Sequence, residues 1–173
     1  MKITLFLLSL FTVMVFSSSN PDGKLGRKIA FEKNKDYIFI TDTIALKAGF
    51  EDLIAMPNIK LDKIEVLKDK TIGDRQEDYY MVVAYDFSES LTVARWLVKK
   101  DNGLYYYKNN TGEETDDTVF FRTYYACYGS KTNCFPKVAH LNDGYTWGGN
   151  STKLVCDPDD PCKAMRIFEP EGE

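Results

Sequence analysis

Hydrophobic positions along the chain change their period several times, and each change marks an element. Ile29, Phe31, Tyr37, Ile38, Phe39 and Ile40 supply enough apolar character for one or two short strands between Lys28 and Ile40. Thr41, Asp42 and Thr43 then offer side chains that can cap a helix N-terminus. Leu46, Phe50, Leu53 and Ile54 follow at helical spacing until Pro57, which predicts one helix over Thr43 to Met56. Beyond Ile59 the period falls to two. Leu61 to Leu67, Asp78 to Asp86, Leu91 to Lys99, Leu104 to Lys108 and Val119 to Cys127 read as successive strands. The segment Tyr79 to Tyr85 is apolar at consecutive positions, as expected of a central strand covered on both faces. Asp101, Asn102 and Gly103 suit the positive φ angles of a tight hairpin turn.

These elements predict an α+β fold: one helix packed on a twisted antiparallel β-meander, followed by a loop-rich, disulfide-bonded C-terminal tail. After Cys127 the pattern weakens, and only Lys153–Cys156 and Ala164–Phe168 read as short strands. The expected organisation is a signal peptide at 1–17, cleaved between 17 and 19, a flexible lead-in at 18–28, a sheet core at 29–126 and the cystine-bearing tail at 127–173.

The signal assignment rests on order. Lys2 precedes a run from Ile3 to Phe16 that is apolar apart from Thr4, Ser9 and Thr12, and Ser17, Ser18 and Ser19 follow as small residues for a peptidase. The run is shorter than the roughly 20 residues of a membrane-spanning helix. This places the protein in a secreted, periplasmic or extracellular setting with no membrane span after cleavage. There the four cysteines, Cys127, Cys134, Cys156 and Cys162, are expected as disulfides. Their spacing is loose for a zinc knuckle. Three connectivities are open, with the two local loops Cys127–Cys134 and Cys156–Cys162 slightly preferred.

Charge removes two classes of partner. The formal net charge of −4 gives no electrostatic reason to seek nucleic acid or anionic lipid. No catalytic residue is assigned. His140 is the only histidine, no Gly-x-Ser-x-Gly elbow accompanies it, and it reads as a surface-loop residue. No cofactor is implied. Asp157, Asp159 and Asp160, between Cys156 and Cys162, are the candidate calcium ligands, although the pattern is not that of an EF-hand. Asn109 and Asn150 begin glycosylation sequons, which matter only in a host that uses them.

Aromatic residues make up 14% of the chain, enough to raise the question of a stacking surface for a flat ligand against that of ordinary core packing. Tyr145 and Trp147 are the candidate contact residues. The glycines after Trp147 have no side chains to cover it, so partial exposure is expected. The resulting expectation is a non-catalytic binding module for an unknown protein, glycan or surface polymer. The alternatives are a carrier of a small apolar ligand inside a barrel-like sheet, and a hydrolytic or calcium-assisted enzyme. Export carries its own test: intact-mass analysis of secreted protein is expected to find an N-terminus between Ser18 and Asn20.

Overall fold

A computed structural model describes residues 25–108, 120–128, 136–141, 144–148 and 163–168. The expected signal peptide, its cleavage site, Cys134, Cys156, Cys162, the three aspartates, both sequons and the strand at Lys153–Cys156 lie outside the described residues.

The elements run β1 (Leu25–Lys33), β2 (Asp36–Phe39), α1 (Thr43–Ile54), β3 (Lys63–Lys70), β4 (Ile72–Gly73), β5 (Asp78–Asp86), β6 (Leu91–Lys100), β7 (Gly103–Tyr107), β8 (Thr123–Tyr128), β9 (Val138–Leu141), β10 (Gly144–Trp147) and β11 (Lys163–Phe168). The result is mostly antiparallel sheet with one well-formed helix. Asp42 caps α1, its carboxylate accepting from the Ile44 N–H at 2.8 Å. The helix ends two residues earlier than the Pro57 stop suggests, because Ala55 turns into the left-handed region with φ of 50°.

β6 organises the main sheet. From Leu91 to Leu97 it pairs with β5 on one edge. The other edge is divided: Leu91 to Arg95 pair with β8, while Val98 to Lys100 pair with β7. The sheet therefore forks. One branch continues through β8 to β11, the other through β7 and β1 to β2, and β3 closes the far side of β5. Only β5–β6–β7 is a meander. The expected simple succession fails where β1 returns to pair with β7, and where β8 skips back to β6. Residues 120–122, expected within a strand, are helical and lead into β8.

Tight turns carry the hairpins. Asn34 and Lys35 both take positive φ, 54° and 71°, between β1 and β2. Asp101 takes 53° between β6 and β7, as its Asp-Asn-Gly sequence predicts. At the β5–β6 turn, buried Asp86 accepts from the backbone of Lys60, Ser88 and Glu89 and from the Ser88 hydroxyl. Burial pushes that carboxyl up, but the hydrogen bonds outweigh it and hold the group below its ordinary range.

Both faces of β5 are buried, as its unbroken apolar run predicts. Tyr80, Val82 and Ala84 face a core closed by Leu46, Phe50 and Ile54 of α1. Tyr79, Met81, Val83 and Tyr85 face a second core with Phe120, Tyr125, Val138 and Trp147. A small three-stranded sheet, β10–β9–β4, supplies part of that second cover. In its described parts the tail carries the strand expected at Ala164–Phe168, here β11, and two strands that were not expected, β9 and β10.

Phe50 links the helix to the sheet, its ring edge-on to Tyr124 at 5.0 Å. Phe50→Ala is expected to cost about 3–5 kcal/mol of stability, read from the shift in denaturant midpoint at unchanged slope.

Candidate functional site

The two aromatic candidates of the tail separate once folded. Trp147, at the end of β10, is 2% exposed, which corrects the expectation of a partly open ring. Its cover comes from distant chain. Tyr125 on β8 stacks on it at 5.5 Å with planes 9° apart, and Phe120 lies 5.3 Å away. Gly148 contributes no side chain; it turns with φ of 90° and donates its N–H to the Lys137 carbonyl at 2.8 Å. Trp147 is thus a core plug.

Tyr145 stays half-buried at the rim of the same cluster. Its hydroxyl donates to Glu77 Oε2 at 2.6 Å, and its ring lies 5.4 Å from Trp96. His140 on β9 stacks on Tyr145 with ring centroids 4.4 Å apart. Its Nδ1 is 3.3 Å from Glu77 Oε2, within ion-pair range yet not aligned as a hydrogen bond. His140 is therefore a mostly buried strand residue, against the surface-loop reading. Among the described residues no serine, threonine or cysteine side chain is hydrogen-bonded to it.

The cluster forms because β4 brings residues 71–77 against β9. Thr71 closes this turn: its N–H donates to the Glu77 carbonyl at 2.9 Å and its hydroxyl to the Arg75 carbonyl at 2.6 Å. Gly73 has φ of 102°, and a Cβ there would fall 2.6 Å from the His140 carbonyl oxygen. Only glycine permits the approach that sets Glu77 beside His140 and Tyr145.

A buried cation is the feature that the sequence reading missed. Arg95 on β6 is 2% exposed. Its guanidinium lies between the rings of Tyr106 at 3.9 Å and Tyr124 at 4.6 Å, and donates to the Tyr124 hydroxyl. The signal was its phase: Leu91, Val93, Arg95 and Leu97 share one strand face, so Arg95 occupies a core position.

A second group of exposed apolar side chains lies elsewhere on the sheet. On the β7–β1–β2 branch, α1 and its core cover the face that carries Tyr37 and Phe39. The opposite face carries Tyr105 and Lys28, paired across β7 and β1, and Phe31 paired with Ile38. Lys28 Nζ lies 6.0 Å from the Phe31 ring centre and 5.8 Å from that of Tyr105. Gly103 makes room: a Cβ there would meet the Tyr105 ring at 2.5 Å. Ile38 is 40% exposed and Ile40 52%. This surface can stack against a flat or apolar group and place one cation beside it.

Cys127 is fully buried on β8, and no cysteine among the described residues is free. The described residues hold no cluster of three or more His, Cys, Asp or Glu side chains arranged for a metal; the proposed calcium loop is outside them. No described helix is long and apolar enough to cross a membrane.

Glu77 has its carboxyl held below the ordinary value of 4.5, chiefly by the Tyr145 hydroxyl, with the His140 and Arg75 charges adding to this. A depressed carboxyl contributes stability that is complete above 4.5 and is lost as pH falls below it through the lowered value. Tyr145→Phe is expected to move the Glu77 titration upward, followed by carboxyl carbon NMR, and to remove this acid-sensitive increment of stability. An unmoved Glu77 titration would show that the hydroxyl is not its main partner.

No protein-family model matches the chain, and neither a curated protein nor a solved structure is similar to it.

Proposed function

We propose that this protein is an exported, non-catalytic binding module whose contact surface is the face of the β7–β1–β2 branch that no other described element covers. The single observation behind this reading is the combination of Tyr105, Lys28 and Phe31 beside the exposed Ile38 and Ile40. Two rings that each lie within about 6 Å of one lysine are chemistry suited to a glycan, a surface polymer or an aromatic side chain of a protein. Trp147 leaves the contact set because its ring is consumed in packing, while Tyr145 remains at the rim.

Export is supported by the ordered basic, apolar and small-residue sequence of the first nineteen positions. Disulfide bonding of the tail fits that compartment, and the burial of Cys127 fits a structural rather than a reactive sulfur. The carrier reading is weaker. The described strands form an open sheet whose outer strands β2, β3 and β11 each pair on one side only, whereas a carrier barrel needs closure. The enzyme reading lacks a nucleophile at His140 among the described residues, and calcium at Asp157, Asp159 and Asp160 stays a lesser proposal for the tail.

The test is a comparison of the mature protein with a Phe31→Ala/Tyr105→Ala variant on polysaccharide, glycan and protein arrays. Binding is expected to weaken roughly tenfold or more in the variant, while its thermal midpoint stays near that of the wild type. Equal binding by both proteins would reject this face. Saturable uptake of one fluorescent apolar probe per chain would favour the carrier instead, and substrate turnover lost in His140→Ala would favour the enzyme.

A further inference from the structure

Among the described residues the main sheet has three strands with an open side, and they are not equally protected. β3 exposes Lys63, Lys68 and Lys70 along its length, with Glu65 and Asp69 between them. β11 exposes Lys163 and Arg166 along its length, with Phe168 exposed at its last position. Charges at such positions discourage pairing with another strand. β2 differs: after Asp36 its exposed positions are Ile38 and, one residue beyond the strand, Ile40.

The backbone of β2 is also ready to pair. The Ile40 N–H donates inward to the Ile29 carbonyl at 3.0 Å, and Glu32 on β1 turns the other way, to Asn102, at 2.7 Å. In an antiparallel ladder these directions alternate, so the N–H and C=O groups of Tyr37 and Phe39 point to the open side. β1 is the one strand partner of β2 among the described residues.

We propose that β2 pairs antiparallel with β2 of a second copy of this chain, about a twofold axis at Ile38. This register makes Tyr37 of each copy exchange both backbone hydrogen bonds with Phe39 of the other, using every outward group of the strand. Ile38 meets its own equivalent as the close, non-hydrogen-bonded pair. The charges then complement one another. At one end of β2 the turn carries Lys33 and Lys35, both exposed; at the other end stands exposed Asp42. Antiparallel pairing sets each basic turn beside the other copy's Asp42, opposite Asn34 in this register. Parallel pairing would set the two basic turns together, and would not close as a twofold does.

A strand this short buries a small interface, so the dimer is weak and concentration-dependent. Sedimentation equilibrium of the mature chain from low micromolar to near-millimolar is expected to show a monomer–dimer transition. Ile38→Lys puts two like charges on the axis and is expected to abolish it, with thermal stability unchanged because the side chain is exposed in the monomer. Asp42→Asn keeps the helix cap and removes only the charge. It is expected to weaken the dimer roughly two- to fivefold and to flatten its salt dependence. A wild-type chain of single mass throughout the range overturns the proposal, as does a dimer that Ile38→Lys leaves intact. Phe31→Ala/Tyr105→Ala is expected to retain the dimer, so this result is read independently of any ligand bound by that face.

Discussion

β5 has no polar face, and the remaining architecture follows from that. Every residue from Tyr79 to Asp86 is buried, so each side of the strand needs its own cover. On one side the cover is α1, whose Leu46, Phe50 and Ile54 lie one helical turn apart and meet Val82 and Ala84. On the other side no helix of comparable length is present among the described residues. The cover is instead the short hairpin β9–β10 and the turn at 120–122, which contribute Val138, Trp147 and Phe120. Hence the tail belongs to the core: without it Met81 and Val83 would face water, at a cost of roughly 1.5–3 kcal/mol for each side chain.

The fork at β6 decides where that cover ends. Because β8 takes only the first half of the β6 edge, the second aromatic layer builds over β5, β6 and β8 and reaches β7 at Tyr107, whose ring lies 4.9 Å from Phe121. The β7–β1–β2 branch diverges from the second half and extends past it. Its helix-side face is sealed by Tyr37, Phe39, Ile29 and Leu104. On its opposite face, beyond buried Tyr107, the described residues leave Phe31, Tyr105 and the exposed isoleucines without a second layer. Among the described residues, the same division of one strand edge thus creates a doubly covered centre and a wing covered on one side, and the candidate contact surface is a product of topology more than of local sequence.

This explains what could be read from the chain alone. The helix, the doubly buried β5, and the Asp101 hairpin were legible because their causes are local: a 3.6-residue period, an unbroken apolar run, and a turn that needs a positive φ. The return of β1 to β7 was not, since it pairs Leu25 with Tyr107 across most of the described chain. Nor was the small sheet. Its strands are two to four residues long, too short to establish a period, and β4 pairs with β9 through Ile72 and Ala139 from separate regions. Trp147 was misread for a related reason. Its sequence neighbours cannot cover it, but Tyr125 can, and no local pattern announces that pairing. Arg95 was legible in principle: a charge in phase with Leu91, Val93 and Leu97 signals a buried cation in need of rings or acceptors.

The use of rings on the second face has a physical logic and a cost. Two four-residue strands can place few side chains over β5, so each must bury much area; a tryptophan or tyrosine buries about 150–250 Å² where a valine buries far less. Large rings also bring polar atoms. Among the described residues the Trp147 indole nitrogen and the Tyr125 hydroxyl are buried without a hydrogen-bond partner, a penalty of about 1–3 kcal/mol for each. Burial accordingly pushes the Tyr125 phenol up to about 12. The stack between these two rings offsets part of the penalty at about 0.5–1.5 kcal/mol. What anchors the hairpin against that residual cost is its rim, where polar groups do find partners: Tyr145 on Glu77, Lys137 on Asp69 at 3.1 Å, and β4 locked to β9 at Gly73. The second layer is therefore apolar stacking at its centre and directional polar contacts at its edge, with Tyr145 belonging to the edge and Trp147 to the centre.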